Sequence, residues 1–262
     1  AFMEILVCVT RVPDTAENEI EVNRDGTDIE RDALVYSINE ADNYAVEEAI
    51  QIKERVGGSV TVVTVGDEES EEVLRREMAM GADRGILLQD DAFAETDGRG
   101  IASILKAEIE KGKYDLILTG AQSEAGAGEV GGMLAAMLDV PYASLVNSIE
   151  VVDDGTLKVG REVEGGNTEL NRVSLPCVLS IQTGINEPRY VGIRGIRQVA
   201  SVEIPVHGTG DLGVETGAIA PLVQRLDYFV PPFGEGAEIL EGSTDEIIDK
   251  LVEILKAKGG LK

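Results

Sequence analysis

The chain has 262 residues, 43% of them hydrophobic and 27% charged, enough to bury a sizeable core as one α/β domain or two smaller ones. Its 49 acidic side chains against 23 lysines and arginines give a net charge of −26, which argues against nucleic acid as a partner because phosphate binding draws on Lys and Arg. Two cysteines, Cys8 and Cys177, outside any metal-ligand spacing, and one histidine, His207, argue against a zinc centre and a histidine-based triad.

Residues 4–10 hold a continuous apolar run, Ile5 to Val9, of strand length. Such a strand is covered on both faces, as in a parallel sheet between helices. In the proline-fixed turn Arg11-Val12-Pro13-Asp14-Thr15, Asp14 is either a turn cap or, with Thr15, a contact for a sugar hydroxyl or a flavin. The run Ser37-Ile38-Asn39-Glu40-Ala41-Asp42 opens a helix over 42–56, with Asp42 either an N-cap or a nucleotide contact. Ala45, Ala49, Ile52 and Val56 form its apolar stripe, and Glu47, Glu48, Lys53 and Glu54 are expected on the solvent side. Strands over 60–65, 85–88 and 116–119 then alternate with helices over 70–80, 100–111 and 131–138. This alternation predicts a doubly wound parallel α/β sheet, whose ligands bind beyond the carboxyl ends of the strands near the switch in strand order. The positions to watch are therefore 10–15, 65–67 and 120–131.

The loop Gly120-Ala121-Gln122-Ser123-Glu124-Ala125-Gly126-Ala127-Gly128-Glu129-Val130-Gly131 joins a buried strand to a helix. Glycines let backbone approach a phosphate, and a helix start offers free N–H groups and a positive dipole. It is neither a Walker loop nor a Gly-x-Gly-x-x-Gly fingerprint, and a purely structural glycine turn is the alternative. Beyond Tyr142, runs over 149–152 and 157–163 form a hairpin around Asp153-Asp154-Gly155, followed by 168–173 and a buried strand over 175–181. An antiparallel β ribbon is thus expected to extend the sheet, completing a body over 1–204. From Pro205 the composition is rich in Gly and Pro, predicting an extended tail over 205–262 that ends in a helix. Ser243 and Glu246 make a capping box for that helix, and Ile247, Leu251 and Leu255 form an apolar stripe that wants a partner groove. The N-terminus lacks signal-peptide regions and no apolar run approaches a spanning helix, so the expectation is a cytoplasmic protein without direct membrane insertion.

Ile185-Asn186-Glu187-Pro188-Arg189-Tyr190 has no evident folding purpose. Pro188 removes a backbone donor and biases Glu187 to an extended conformation, leaving a loop with an apolar tip, an ion-pairing couple and an aromatic. A Glu187–Arg189 pair closing the loop is the plain reading, and an exposed pair contributes only ~0–1 kcal/mol.

Together with Ile5–Pro13, Ala79-Met80-Gly81-Ala82-Asp83-Arg84-Gly85, Asp115–Gly120 and Glu164-Gly165-Gly166, this segment resembles the electron-transfer flavoprotein β subunit over nearly the whole chain. The resemblance implies an adenine-nucleotide-binding sheet in a heterodimer whose α subunit holds most of a redox-active FAD. It further implies electrons collected from acyl-CoA dehydrogenases and passed to a membrane quinone reductase, with no catalytic residue and no metal. Carried over by position, the nucleotide site is Cys8 through its backbone, Asn39, Glu40, Ala41, Asp42, Val65, and Gly120, Ala121, Gln122, Ser123, Glu124, Gly126, Gly128, Glu129 and Val130. Thr15 is expected to face the shared flavin. Residues 181–195 become the docking arm, with Ile185 its apolar anchor. Val12-Pro13-Asp14-Thr15 resembles the flavin-bifurcating branch, in which a second FAD replaces AMP and NADH drives ferredoxin reduction. Against that branch, the arm keeps the Asn-Glu-Pro-Arg-Tyr form of the simple carriers, and the reading adopted is a non-bifurcating carrier with AMP. A stand-alone adenine-nucleotide-binding module explains the sheet but neither arm nor tail. An ATP-dependent ligase would want a Ser-Gly-Gly loop where Thr10-Arg11-Val12-Pro13 stands.

Overall fold

The N-terminal apolar run forms β1 (Met3–Cys8) in the computed structural model, which describes residues 2–123, 126–234 and 236–261. Ile5 and Val7 enter one buried cluster while Leu6 and Cys8 enter another, as a strand covered on both faces requires. Ile5, Leu6 and Val7 are each 0% exposed, and burying such a side chain contributes about 1.5–3 kcal/mol.

The chain continues through β2 (Arg11–Pro13), β3 (Tyr36–Ile38), α1 (Glu40–Val56), β4 (Gly58–Val65), α2 (Glu71–Met80) and β5 (Arg84–Leu88). Next come α3 (Gly98–Ile109), β6 (Leu116–Gly120), α4 (Val130–Leu138), β7 (Tyr142–Asp153), β8 (Thr156–Val163), β9 (Asn167–Ser174) and β10 (Cys177–Ile181). After α5 (Ile193–Val199), β11 (Val206–His207) and α6 (Thr209–Leu212) complete the first compact unit, residues 1–20 and 30–226.

The main sheet is nine-stranded among the described residues, in the order β11-β5-β4-β1-β6-β10-β7-β8-β9. Helices α1 and α2 cover one face through Ala45, Ala49, Ile52, Val73 and Leu74. On the other face lie α3 and α4 with Ala102, Ile104, Leu105, Leu134 and Ala135. From β1 the chain steps out to β4 and β5, then returns to β6 on the other side of β1. This is the doubly wound sheet expected from the strand–helix alternation, and its switch in strand order lies between β1 and β6.

The sequence leaves the order of strands in the sheet open. Strand β10 does not follow the ribbon at the sheet's edge but inserts, parallel, between β6 and β7. Strand β7 begins at Tyr142, runs parallel to β10, and only then turns into the antiparallel ribbon with β8 and β9. The β2–β3 pair was not foreseen, because three-residue strands separated by a long loop leave no periodic signal.

Residues 21–29 and 227–262 form a second unit. The Tyr228 N–H donates to the Gly26 carbonyl at 2.8 Å, tying its two segments together. Helix α7 (Thr244–Ala257) starts at the expected capping box, with Ser243 and Glu246 each bonding the other's backbone N–H. Its stripe stays open, with Leu251 44% and Leu255 43% exposed. No helix among the described residues is long and apolar enough to cross a membrane.

Candidate functional site

At the strand switch, the first turn of α1 is sewn to the loops that follow β1 and β6. The Asn39 backbone N–H donates to the Thr10 carbonyl at 2.8 Å, and its side-chain amide donates to the Gln122 carbonyl at 2.8 Å. Asp42, 5% exposed, accepts the Thr10 N–H at 2.9 Å on one carboxylate oxygen and the Gly120 N–H at 3.0 Å on the other. Burial pushes the Asp42 carboxyl up to about 7, against the lowering effect of donors from Asn39, Gly120 and Thr10.

These ties frame a cleft of about 320 Å³ lined by Asn39, Glu40, Ala41, Gln122, Ser123, Gly126, Ala127 and Thr183. No lysine or arginine is among those lining residues, so an anionic ligand there meets N–H donors and the α1 start rather than cationic side chains. Thr183 was missed by the sequence reading, although its place just beyond the end of β10 marks it by the strand-end rule.

The remaining predicted positions are distributed around this frame. Cys8 ends β1 with its side chain in the core, where burial raises its thiol pKa well above the ordinary range. Val65 ends β4, half-buried against the α3–α4 side of the core. The Ala121 N–H donates to the Ile181 carbonyl at 2.8 Å, fixing the root of the glycine loop on β10. Gly128 has φ +75°, and a Cβ there would collide with the Ala121 carbonyl oxygen, so this turn requires glycine. Gly126, by contrast, has only the Glu129 carboxylate near a would-be Cβ, at 3.9 Å. Glu129 packs its carboxylate beside Gly98 at the start of α3, and Val130 opens α4. Glu124 lies outside the described residues.

Thr15 is exposed and is not among the cleft's lining residues. Asp14 is the turn cap, its carboxylate accepting the Ala16 N–H at 2.9 Å and the Glu17 N–H at 3.3 Å. A larger hollow of about 400 Å³ opens between the start of β7 and β9, with Arg161 and Arg172 on its wall. It opens at the amino end of β7, away from the strand ends where ligands of such sheets bind. Among the described residues no group of three or more His, Cys, Asp or Glu is placed to hold a metal ion.

The segment after β10 lies on the other end of α1. Arg189 does not pair with Glu187. Its guanidinium donates to Glu47 at 3.0 and 3.1 Å and to Glu54 at 2.8 and 3.2 Å, and its backbone N–H adds a bond to Glu47 at 3.1 Å. The Asn186 amide donates to the Tyr44 carbonyl and to Glu48, both at 3.1 Å. Glu47 and Glu48, expected on the solvent side, are therefore only 3% and 5% exposed, covered by a segment far along the chain. Burial pushes the Glu47 carboxyl up, but donors from Arg189 and Gln51 prevail and hold it below its usual value. Ile185 is half-buried and packs against the core, whereas Tyr190 is 91% exposed, with Ile193 at 68% and Ile196 at 47% beyond it. Arg194 and Arg197 are exposed on the same short helix, α5.

The model of the electron transfer flavoprotein domain matches residues 27–209. The chain is 34% identical to the electron transfer flavoprotein subunit beta of Bacillus subtilis (strain 168) over 260 residues, 98% of each chain. It is also 34% identical to the human subunit over 259 residues, covering 97% of this chain and 98% of that one. A further relative, the caffeyl-CoA reductase-Etf complex subunit CarD of Acetobacterium woodii, is 36% identical over 264 residues, 98% of this chain and 99% of its own. A cleft at the strand switch and an anchored arm beyond β10 thus occur in a chain that belongs to the electron-transfer flavoprotein family, as a β subunit.

Proposed function

We propose that this β subunit binds AMP in the cleft between the β1 and β6 loops and, with its α partner, carries electrons from acyl-CoA dehydrogenases toward a membrane quinone reductase. The observation that carries the nucleotide reading is the cleft itself. It lies at the strand switch, Gly126 lines it without a side chain, and its volume of about 320 Å³ is that of a small-molecule site. The phosphate would rest on backbone N–H groups at the start of α1 and beside Gln122, Ser123 and Gly126, and Thr183 would close the side toward β10.

FAD, held mainly by the α chain, supplies the redox chemistry when bound. This chain's part is to present a rigid wall and to bring a partner close, because electron transfer needs proximity and not an acid or a base. The segment from Asn186 to Ile196 supports the docking role. Its Asn186 and Arg189 side chains fasten it to α1, while Tyr190, Ile193 and Ile196 are left for a partner. The apolar stripe of α7 and the exposed Phe229, Val230 and Phe233 support a tail that packs on the α subunit.

A second reading, a bifurcating subunit with a second FAD, is favoured by Val12-Pro13-Asp14-Thr15 and by the relative that belongs to a caffeyl-CoA reductase-Etf complex. Counting the nucleotides released from the purified heterodimer separates the two. One FAD with one AMP supports the carrier; two FAD without AMP supports bifurcation.

A further inference from the structure

Asp42 sits directly behind the cleft and touches both of its walls through backbone. Each carboxylate oxygen is committed to a different strand end, one to the Thr10 N–H and the other to the Gly120 N–H. Thr10 lies in the short connection between β1 and β2, and Gly120 ends β6 where the glycine loop starts. The carboxylate therefore spans the switch in strand order between β1 and β6.

We propose that Asp42 is a positioning residue whose ionised carboxylate clamps the two loops of the nucleotide cleft, so that taking up a proton loosens the cleft and releases nucleotide. A carboxylate offers both oxygens as acceptors, whereas a carboxylic acid turns one of them into a hydroxyl that is a poor acceptor. Protonation on either oxygen thus weakens one of the two bridges. The group is poised for this, since burial brings its titration to about pH 7.

Titratable and charged groups lie near Asp42 on several elements. The Cys8 thiol on β1 is itself pushed up by burial and by the Asp42 charge, and stays neutral. Glu77 on α2, 0% exposed, raises its own pKa partly through Asp42. Glu40, on Asp42's own helix, is exposed. Arg11, next to Thr10 in the chain, pairs with Glu69 at 2.9 Å and stacks 3.9 Å over Tyr36. Asn39 and the amides of Thr10 and Gly120 remain the donors that hold the charge.

The sign of the effect separates positioning from stability. A carboxyl raised in the folded state stabilises the fold most below its ordinary value of 3.8, and that contribution is lost as pH rises through about 7. The fold as a whole gains from the proton while the cleft gains from its loss. A residue kept for stability alone would show only the first trend.

The proposal rests on the reading of this cleft as a nucleotide site, and the test keeps the two apart. Release of labelled AMP from the purified heterodimer is followed between pH 8 and pH 6, for the native protein and for Asp42→Asn. The native protein should release AMP about tenfold faster at pH 6 than at pH 8, following the protonated fraction of one group. Asp42→Asn, in which only one oxygen accepts, should release at the fast rate at every pH. A native rate that does not change with pH overturns the proposal. So does a variant that keeps the native pH profile. Amide exchange of the native heterodimer, corrected for intrinsic rates, gives a readout that needs neither variant nor AMP. Loss of protection at Thr10 and Gly120 on going below neutral pH supports the clamp, and unchanged protection overturns it. If AMP is retained at no pH, the nucleotide reading fails, and amide exchange alone decides the role of Asp42.

Discussion

The two ends of α1 hold two different kinds of surface. At its first turn, a buried carboxylate and a buried amide tie strand ends together from within, through Asp42 and Asn39. Further along, Glu47, Glu48 and Glu54 hold a later segment from outside, through Arg189 and Asn186. The first arrangement orders backbone around a cavity and exposes little of itself. The second fastens a loop by its polar residues so that its apolar ones, Tyr190 above all, stay in solvent. Rigid placement of a small ligand and accessible placement of a docking surface thus come from one helix, by reversing which groups are buried.

Glu77 stands behind both ends and gives the largest test of the comparison. Among the described residues neither of its oxygens has a hydrogen-bond partner, and Arg76 approaches at 3.7 Å. Burial pushes its carboxyl up to about 8, with Arg76 opposing and the charges of Asp42 and Glu47 adding to the rise. The folded value lies above the ordinary 4.5, so the cost is nil in acid and complete above about pH 8. Glu77→Met should therefore stabilise the protein by about 2–4 kcal/mol at pH 8.5, with the gain fading toward pH 5 in denaturant titrations. A variant less stable at pH 8.5 would mean that Glu77 has a structural partner.

Arg189→Ala is expected to cost about 2 kcal/mol, because it leaves the Glu47 carboxylate buried without its guanidinium. Proteolysis within 182–192 should rise in the same variant, and an unchanged cleavage rate would show that the arm is held by other contacts. The pH responses should also diverge. Arg189 holds Glu54 below its ordinary value, and with Gln51 it holds Glu47 there too, so their contribution is present above about pH 4.5 and is lost only as pH falls below it. The arm should stay fastened across the neutral range in which Asp42 titrates. Loosening of both regions in one step would merge what the structure separates.

Within the cleft loop, Gly128→Ala should cost about 1 kcal/mol or more and speed nucleotide release, since both φ and the Ala121 carbonyl oppose a side chain. Gly126→Ala has room for its methyl and should release nucleotide within about twofold of the native rate. Equal effects at the two positions would remove the steric argument. The smallest effect on stability is expected at Tyr190, where truncation to Ala should stay within about 0.5 kcal/mol and yet slow reduction by an acyl-CoA dehydrogenase. Ile185→Ala, half-buried on the core, should do the reverse, lowering stability by about 1–2 kcal/mol. Normal transfer rates in Tyr190→Ala would return the anchor role to Ile185.

The sheet was legible in the sequence because buried strands and amphipathic helices carry their signal locally. Ile5 to Val9, the Ala45–Ala49–Ile52 stripe and the Ser243–Glu246 capping box all fall where periodicity and capping put them. What the sequence could not show depends on contacts made at a distance. Glu47 and Glu48 read as solvent-facing because their cover, Asn186 and Arg189, arrives well over a hundred positions later. β10 lies at the sheet's centre because sheet order is set by crossovers and not by chain order. Asp42 reads equally as a cap and as a ligand contact, and its actual partners, Thr10 after β1 and Gly120 at the end of β6, are brought together only by the fold.

The most direct test of the account is to denature the heterodimer purified with its α subunit and count the nucleotides released per complex. One FAD together with one AMP is the predicted result. Two FAD without AMP, or one FAD with no second nucleotide, would contradict the assignment of the cleft behind which Asp42 sits.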